Sequence, residues 1–431
     1  MKAVIAKRVT SGTPDLTEIR DLAVAGGYEV VGSLTQTRRE DAAFAFGEGK
    51  IAELATLVNE TGAHAVIIDN RLGPYQTYNI GQAIPDGVTV IDRFTLILEI
   101  FAQRAHTRKA QLQVELAELR YELPRVSAKV SLAKRDEHPG FMGLGEYDES
   151  RERDIKSRIS RITDELEQIA ADEADWRAER RESGFDLIAL AGYTNAGKST
   201  LLRQLAADME IHENQDLHPD LEPTAESRDQ LFTTLGTTTR RASIDDRAVL
   251  VTDTVGFIRD LPHWLVESFR STLEGVYLAD LVLLVVDISE PVTAIREKLV
   301  TCHDTLFERN EAPILTVFNK IDAVDPKTLA ERQEALADLA PDPVLISASE
   351  GKNIETLCRR IAAELPPLQP ERMVLPLADD TMSLISWIHD NATVDEVTYG
   401  DESAVIAFRG PPATVEKARS RAADLVVPAA E

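Results

Sequence analysis

Over the first 92 residues, apolar side chains come in short runs at 3–9, 28–34, 63–68 and 88–91. These runs have the length and the β-branched content of strands. The segments between them, near 15–25, 50–60 and 74–83, read as helices. Strands alternating with helices predict βαβ units and a parallel sheet. Within this region Gly47-Glu48-Gly49-Lys50 looks like half a phosphate loop, but it lacks the first glycine and the closing Ser/Thr. A helix N-terminus with a tight turn is expected there.

The pattern changes over 93–183. Leu112, Leu116, Leu119 and Leu123 recur at heptad spacing, as do Ile155, Ile159, Ile162, Leu166 and Ile169. Two such seams predict an antiparallel helical hairpin. Pro124 is expected to end the first helix, and Pro139, Gly140, Gly143 and Gly145 mark the loop between the two. Residues 184–367 alternate again, with strands at 187–191, 249–252, 281–286, 314–318 and 344–346. Pro366, Pro367 and Pro370 mark a boundary. Beyond it, 371–431 reads as a small α+β unit, with a helix near 380–390, strands near 394–399 and 403–408, and a helix after Pro412. The expected domains are therefore 1–92 (N-terminal α/β), 93–183 (helical hairpin), 184–367 (P-loop α/β) and 371–431 (C-terminal α+β).

Composition narrows the setting. The 431 residues are 43% hydrophobic, enough for sizeable cores, yet no run approaches the roughly 18 apolar residues of a membrane span. Met1 leads straight into a strand-like run, so no signal peptide is expected. Two cysteines, Cys302 and Cys358, argue for a reducing cytoplasm rather than a disulfide framework. The net charge is −26, from 73 acidic and 47 basic residues. Acid spread over a folded surface suits a salt-rich cytoplasm, where screening lengths fall to about 3 Å at 1 M. Residues 104–135 run against that trend, with eight Arg or Lys and three Glu. This is either a patch for a phosphate backbone, with Arg104, Arg120, Arg125 and Lys129 as its contacts, or a solvated helix face.

The candidate chemistry lies in 184–367. Gly192-Tyr193-Thr194-Asn195-Ala196-Gly197-Lys198-Ser199, followed by Thr200, is a complete P-loop between a strand and a helix. Its backbone N–H groups and the helix N-terminus would cradle phosphates. Lys198 would reach the β- and γ-phosphates, and Ser199 would ligate Mg²⁺. Asp253-Thr254-Val255-Gly256 also follows a strand. There Asp253 would hold Mg²⁺ and the Gly256 N–H would meet the γ-phosphate. Asn319-Lys320-Ile321-Asp322 selects the base, since a carboxylate at Asp322 can accept from guanine N1–H and the 2-amino group. Ser347-Ala348-Ser349 would present N–H to guanine O6. Phe232-Thr233-Thr234-Leu235-Gly236 lies where a threonine, preferably Thr234, would ligate Mg²⁺ in the triphosphate state, the alternative being an ordinary strand threonine. Lys198, Thr234 and Gly256 are thus the residues expected to act in hydrolysis. Phe257 stands where Ras-like enzymes keep a water-orienting glutamine, so unassisted hydrolysis should be slow.

Beyond these motifs the chain resembles the HflX family of ribosome-associated GTPases. The resemblance rests on Pro74-Tyr75-Gln76 with Asn79, on Ile91-Asp92-Arg93, and on Leu98-Glu99-Ile100-Phe101-Ala102-Gln103-Arg104. It continues through Gln113, Glu115, Leu119, Arg120, Tyr121 and Pro124-Arg125, then through the P-loop, Leu231 to Leu235 and Thr238-Thr239-Arg240. It implies a GTPase that binds the large ribosomal subunit and can separate stalled or stressed ribosomes; the chain itself is expected to be a monomer. Its N-terminal region and hairpin would dock on ribosomal RNA, with residues 136–147 entering the peptidyl transferase region. There Gly143-Leu144-Gly145-Glu146 faces the family's G-P-G-E, leucine replacing proline. The acidic insert 209–230 is a second departure. Asn195 occupies a position where some related GTPases hold a potassium ion. A ribosome maturation factor and a GTP-dependent scaffold are the alternative readings.

Overall fold

The computed structural model describes residues 1–105, 107–136, 144–182, 185–206, 238–245, 247–254, 256–257, 276, 279–307, 312–377 and 379–425. They form two compact units, the first being Met1–Glu167.

In the first unit, strands β1 (Lys2–Val9), β2 (Glu29–Thr37), β3 (Ala65–Ile68) and β4 (Thr89–Asp92) form a parallel sheet in the order β2-β1-β3-β4. Every residue of β3 is buried, as a strand covered on both faces requires. Helices α1 (Thr17–Ala25), α2 (Glu48–Thr61) and α3 (Pro74–Ala83) make the crossovers. The core packs Val4, Ala6, Val66 and Ile68 against Leu54, Val58 and Ile80. Gly47 is the N-cap of α2, as the sequence led us to expect, and its N–H donates to Gln36 Oε1 at 3.0 Å.

Helix α4 (Arg93–Arg104) starts directly at the end of β4, capped by the Asp92 carboxylate, which accepts from the Thr95 N–H at 2.9 Å. Helices α5 (Arg108–Asp136) and α6 (Leu144–Glu182) follow. Arg108 pairs with Glu165, Glu115 with Arg158 and Glu122 with Arg151. Each partner recedes along α6 as α5 advances, which fixes an antiparallel register. The expected seam is buried at Leu112, Leu116, Leu119, Ile155 and Ile162. Pro124 does not end the first helix, contrary to expectation; α5 runs through it to Asp136. An internal proline costs about 3 kcal/mol. The Glu122–Arg151 pair, buried Val126 and the Arg125–Asp92 pair hold the helix on either side of it.

The second unit carries a six-stranded sheet in the order β10-β9-β8-β5-β7-β6. Its strands are β5 (Asp186–Gly192), β6 (Thr238–Ile244), β7 (Arg247–Asp253), β8 (Leu281–Asp287), β9 (Ile314–Asn319) and β10 (Val344–Leu345). All neighbours are parallel except β6 with β7. Helices α7 (Lys198–Leu205), α8 (Val292–Phe307), α9 (Pro326–Ala335) and α10 (Ile354–Glu364) accompany it. The buried side chains Leu190, Leu201, Val251, Leu283, Val317 and Ile361 share one core. The chain ends in a three-stranded antiparallel sheet of β11 (Gln369–Pro376), β12 (Thr393–Tyr399) and β13 (Ser403–Gly410), in the order β11-β13-β12. Helices α11 (Asp379–Asn391) and α12 (Pro412–Leu425) complete it, over a core of Leu375, Ile388, Ile406 and Phe408. Strands β6 and β11 were not foreseen. Both are edge strands, and β11 tolerates Pro370 for that reason. No helix among the described residues is long and apolar enough to cross a membrane.

Candidate nucleotide site

In the six-stranded sheet, the P-loop, D-x-x-G, N-K-x-D and S-A-S segments leave the carboxyl ends of β5, β7, β9 and β10. Open α/β sheets bind ligands at that edge. Two glycines make the P-loop possible. Gly192 has φ 142°, and a Cβ on it would lie 2.2 Å from the Val285 carbonyl oxygen. Gly197 has φ 94°, and a Cβ there would meet Asn319 Nδ2 at 2.2 Å. Between them Asn195 is exposed and turns through φ 62°. Helix α7 then opens at Lys198, so its N-terminal amides face the loop.

Lys198 is 7% exposed, and its Nζ donates to the carbonyls of Gly192 at 3.1 Å and Tyr193 at 3.0 Å. Burial lowers its pKa, opposed by the nearby Asp253 carboxylate. Ser199 Oγ donates to Asp253 Oδ2 at 2.6 Å, and Asp253 is fully buried. A hydroxyl and a carboxylate meeting there are hard oxygen donors, of the kind that suits a Mg²⁺ shared with substrate phosphates. Thr254 Oγ1 donates to the Leu190 carbonyl at 2.7 Å, fixing the start of the D-x-x-G segment.

Asn319 ties three motifs together. Its Nδ2 donates to the Ala196 carbonyl at 2.8 Å, and its Oδ1 accepts from the Ala348 N–H at 2.9 Å. Lys320 pairs with Asp287 at 2.8 Å, and the Ile321 N–H donates to the Ile346 carbonyl at 3.2 Å. Asp322 is exposed on the short 3-10 turn Ile321–Ala323. Ser347 and Ser349 share a hydroxyl contact at 3.1 Å. Phe232, Thr233, Thr234, Leu235, Gly236 and Val255 lie outside the described residues, as do the whole insert 209–230 and the hairpin loop at 137–143.

The expected RNA contacts fare differently. Arg125 lies 4.1 Å over the Tyr121 ring, donates to Tyr121 Oη at 2.8 Å and pairs with Asp92 at 3.3 Å. Tyr121 Oη in turn donates to the buried Asp92 carboxylate, and burial first, then Asp92, raises the phenol pKa. Arg104 and Arg120 are half-buried and also engaged within the protein. The Lys129 side chain lies outside the described residues. Sequence reasoning missed this node, and it missed Lys298, which pairs with Glu290 at 2.5 Å and sits 4.6 Å from the centre of the Tyr193 ring. The motif residues Gln76 and Asn79 pin the preceding loop, donating to the carbonyls of Asp41 and Ala43, each at 3.0 Å.

The sheet order, the P-loop ahead of a helix and the clustered guanine motifs define a P-loop GTPase. Residues 13–102 match the family described as "GTP-binding GTPase N-terminal" and 104–180 its "Middle Region". Residues 187–320 match "50S ribosome-binding GTPase". The GTPase HflX of Thermococcus kodakarensis is 38% identical over 403 residues, covering 91% of this chain and 87% of that one. That of Thermofilum pendens is 38% identical over 432 residues, covering 98% and 97%. The chain belongs to the HflX family of GTPases. A solved GTP-binding protein from Sulfolobus solfataricus, in complex with GDP, is 25% identical at a TM-score of 0.45 and covers 84% of this chain and 97% of its own.

Proposed function

We propose that this chain is a Mg²⁺-dependent GTPase of the cytoplasm that binds the large ribosomal subunit in its GTP state and helps dissociate or rescue ribosomes. The observation that carries the reading is the match of residues 187–320 to a 50S ribosome-binding GTPase family. The joining of P-loop, D-x-x-G and N-K-x-D through Lys198, Ser199, Asp253 and Asn319 supports it. Lys198 and the α7 N-terminus neutralise phosphate charge as it develops, and the Gly256 N–H reads the γ-phosphate. Ser199, Asp253 and Thr234 would hold Mg²⁺, which would neutralise charge on the phosphates. Asp322 selects guanine, and Asn319, which accepts from the Ala348 N–H, holds the S-A-S segment beside it. The Phe257 side chain offers no hydrogen bond to water, so the large subunit, or a potassium ion that Asn195 would hold, would supply the missing stimulation. GTP turnover measured with and without large subunits, followed by light scattering on intact ribosomes, tests the reading. Stimulated turnover with dissociation is the expected result. Stimulation without dissociation makes the chain a maturation factor, and no stimulation makes it a scaffold.

A further inference from the structure

The residue after the D-x-x-G motif is buried and bonded to the P-loop by its backbone. Phe257 is 5% exposed. Its N–H donates to the Gly192 carbonyl at 3.0 Å, and its carbonyl accepts from the Thr194 N–H at 2.9 Å. These two bonds make a parallel bridge between Tyr193 and Phe257, extending the sheet by one residue pair at the mouth of the P-loop. The bridge brings Gly256 against the loop. A Cβ built on Gly256 would lie 2.8 Å from Thr194 Cγ2 and 2.9 Å from Lys198 Nζ. Real Cβ atoms do not approach that closely, so Gly256 is held tight against Thr194 and Lys198.

Resting on the nucleotide reading above, we propose that Phe257 determines which nucleotide state the site accepts. Its buried side chain anchors a backbone bridge to the P-loop that holds Gly256 against Thr194 and Lys198, where a γ-phosphate would be read. A diphosphate, with no γ-phosphate to place between Lys198 and Gly256, binds with the bridge made. A triphosphate must part Phe257 from Gly192 and Thr194 before its terminal phosphoryl group reaches both Lys198 and Gly256. The residue that replaces the water-orienting glutamine is in this account a latch.

The test compares equilibrium binding of a fluorescent GDP and a fluorescent non-hydrolysable GTP analogue to the full chain with Mg²⁺. In Phe257→Ala the analogue should bind roughly tenfold tighter, the worth of one to two net backbone hydrogen bonds, while GDP moves less than about twofold. Phe257→Leu, which keeps an apolar anchor, should stay near wild type. Equal shifts for both nucleotides, or none, would overturn the proposal. Amide exchange on the unmutated chain gives a second reading. The Thr194 and Phe257 amides should be protected with GDP and exchange at least tenfold faster with the analogue. Equal protection in the two states would overturn it. If neither nucleotide binds, the underlying GTPase reading fails instead.

Discussion

Arg247 should be the side chain whose loss the six-stranded sheet feels most. It is 4% exposed, and its partner Asp186 is 6% exposed. Arg247 Nε donates to Asp186 Oδ2 at 2.5 Å, and Nη1 donates to the Pro366 carbonyl at 2.6 Å. One guanidinium thus ties β7 to β5 and to the chain leaving α10. Arg247→Ala leaves a buried carboxylate without its cation and a carbonyl without its donor. Removing one partner of a buried pair costs about 3–5 kcal/mol, and an orphaned carbonyl adds about 1 kcal/mol. In a unit of this size each kcal/mol is worth roughly 2–4 °C, so the melting temperature should fall by about 10–20 °C. The loss carries a pH signature. Burial raises the Asp186 pKa, and Arg247 holds it down. Without the arginine it rises further above its unfolded value. Below the unfolded value the carboxyl is protonated in both states and the penalty vanishes. The full penalty applies once the pH exceeds the folded value. Thermal unfolding followed by circular dichroism, at constant high salt, should therefore show the largest wild-type-to-variant gap at neutral pH and a shrinking gap toward acid. A loss below about 1 kcal/mol, or one that grows toward acid, would refute the reasoning.

Base choice should follow Asp322. Asp322→Asn should weaken GTP by on the order of 100-fold or more, as two charge-assisted hydrogen bonds are lost, and shift preference to xanthosine triphosphate in competition binding. Gly197→Ala drives a methyl group into Asn319, which holds Ala196 and Ala348. Titration calorimetry should show at least a tenfold loss of GDP affinity in chains that still fold. Asn195→Ala should remove any advantage of KCl over NaCl, at matched ionic strength, in steady-state GTP turnover. Arg125→Ala strips the buried Asp92 of a charged partner and should cost the first unit about 1–3 kcal/mol in denaturant unfolding while leaving GTP affinity unchanged.

The parallel strands of the four- and six-stranded sheets were legible because buried strands are apolar throughout, as at β3 and β8. Strand β6 was not, since an edge strand carries Arg240 and Arg241 and lacks that signal. Strand β11 was hidden for the same reason, its prolines reading as a boundary. Pro124 misled because a local rule weighs the missing N–H and the ring. The ties on either side of it come from Asp92 and Arg151, far along the chain. The nucleotide motifs were readable as words because each follows a strand at fixed spacing. The joints between them were not, since Asn319 meets Ala196 across 123 residues. The basic stretch 104–135 shows where composition stops. It counts arginines but cannot tell which turn inward, and Arg125 is committed to Asp92 and Tyr121. Phe257 was visible as a missing glutamine. That its backbone would pair with the P-loop depends on β5 and β7 lying side by side.

Nucleotide-dependent binding to the large ribosomal subunit is the central claim, and co-sedimentation measures it most directly. The full chain is spun with purified large subunits, small subunits and intact ribosomes in high-potassium buffer, with GDP or a non-hydrolysable GTP analogue. The chain should pellet with large subunits in the analogue, be released by GDP, and ignore small subunits. Equal pelleting in the two nucleotides, or none with large subunits, would contradict the account.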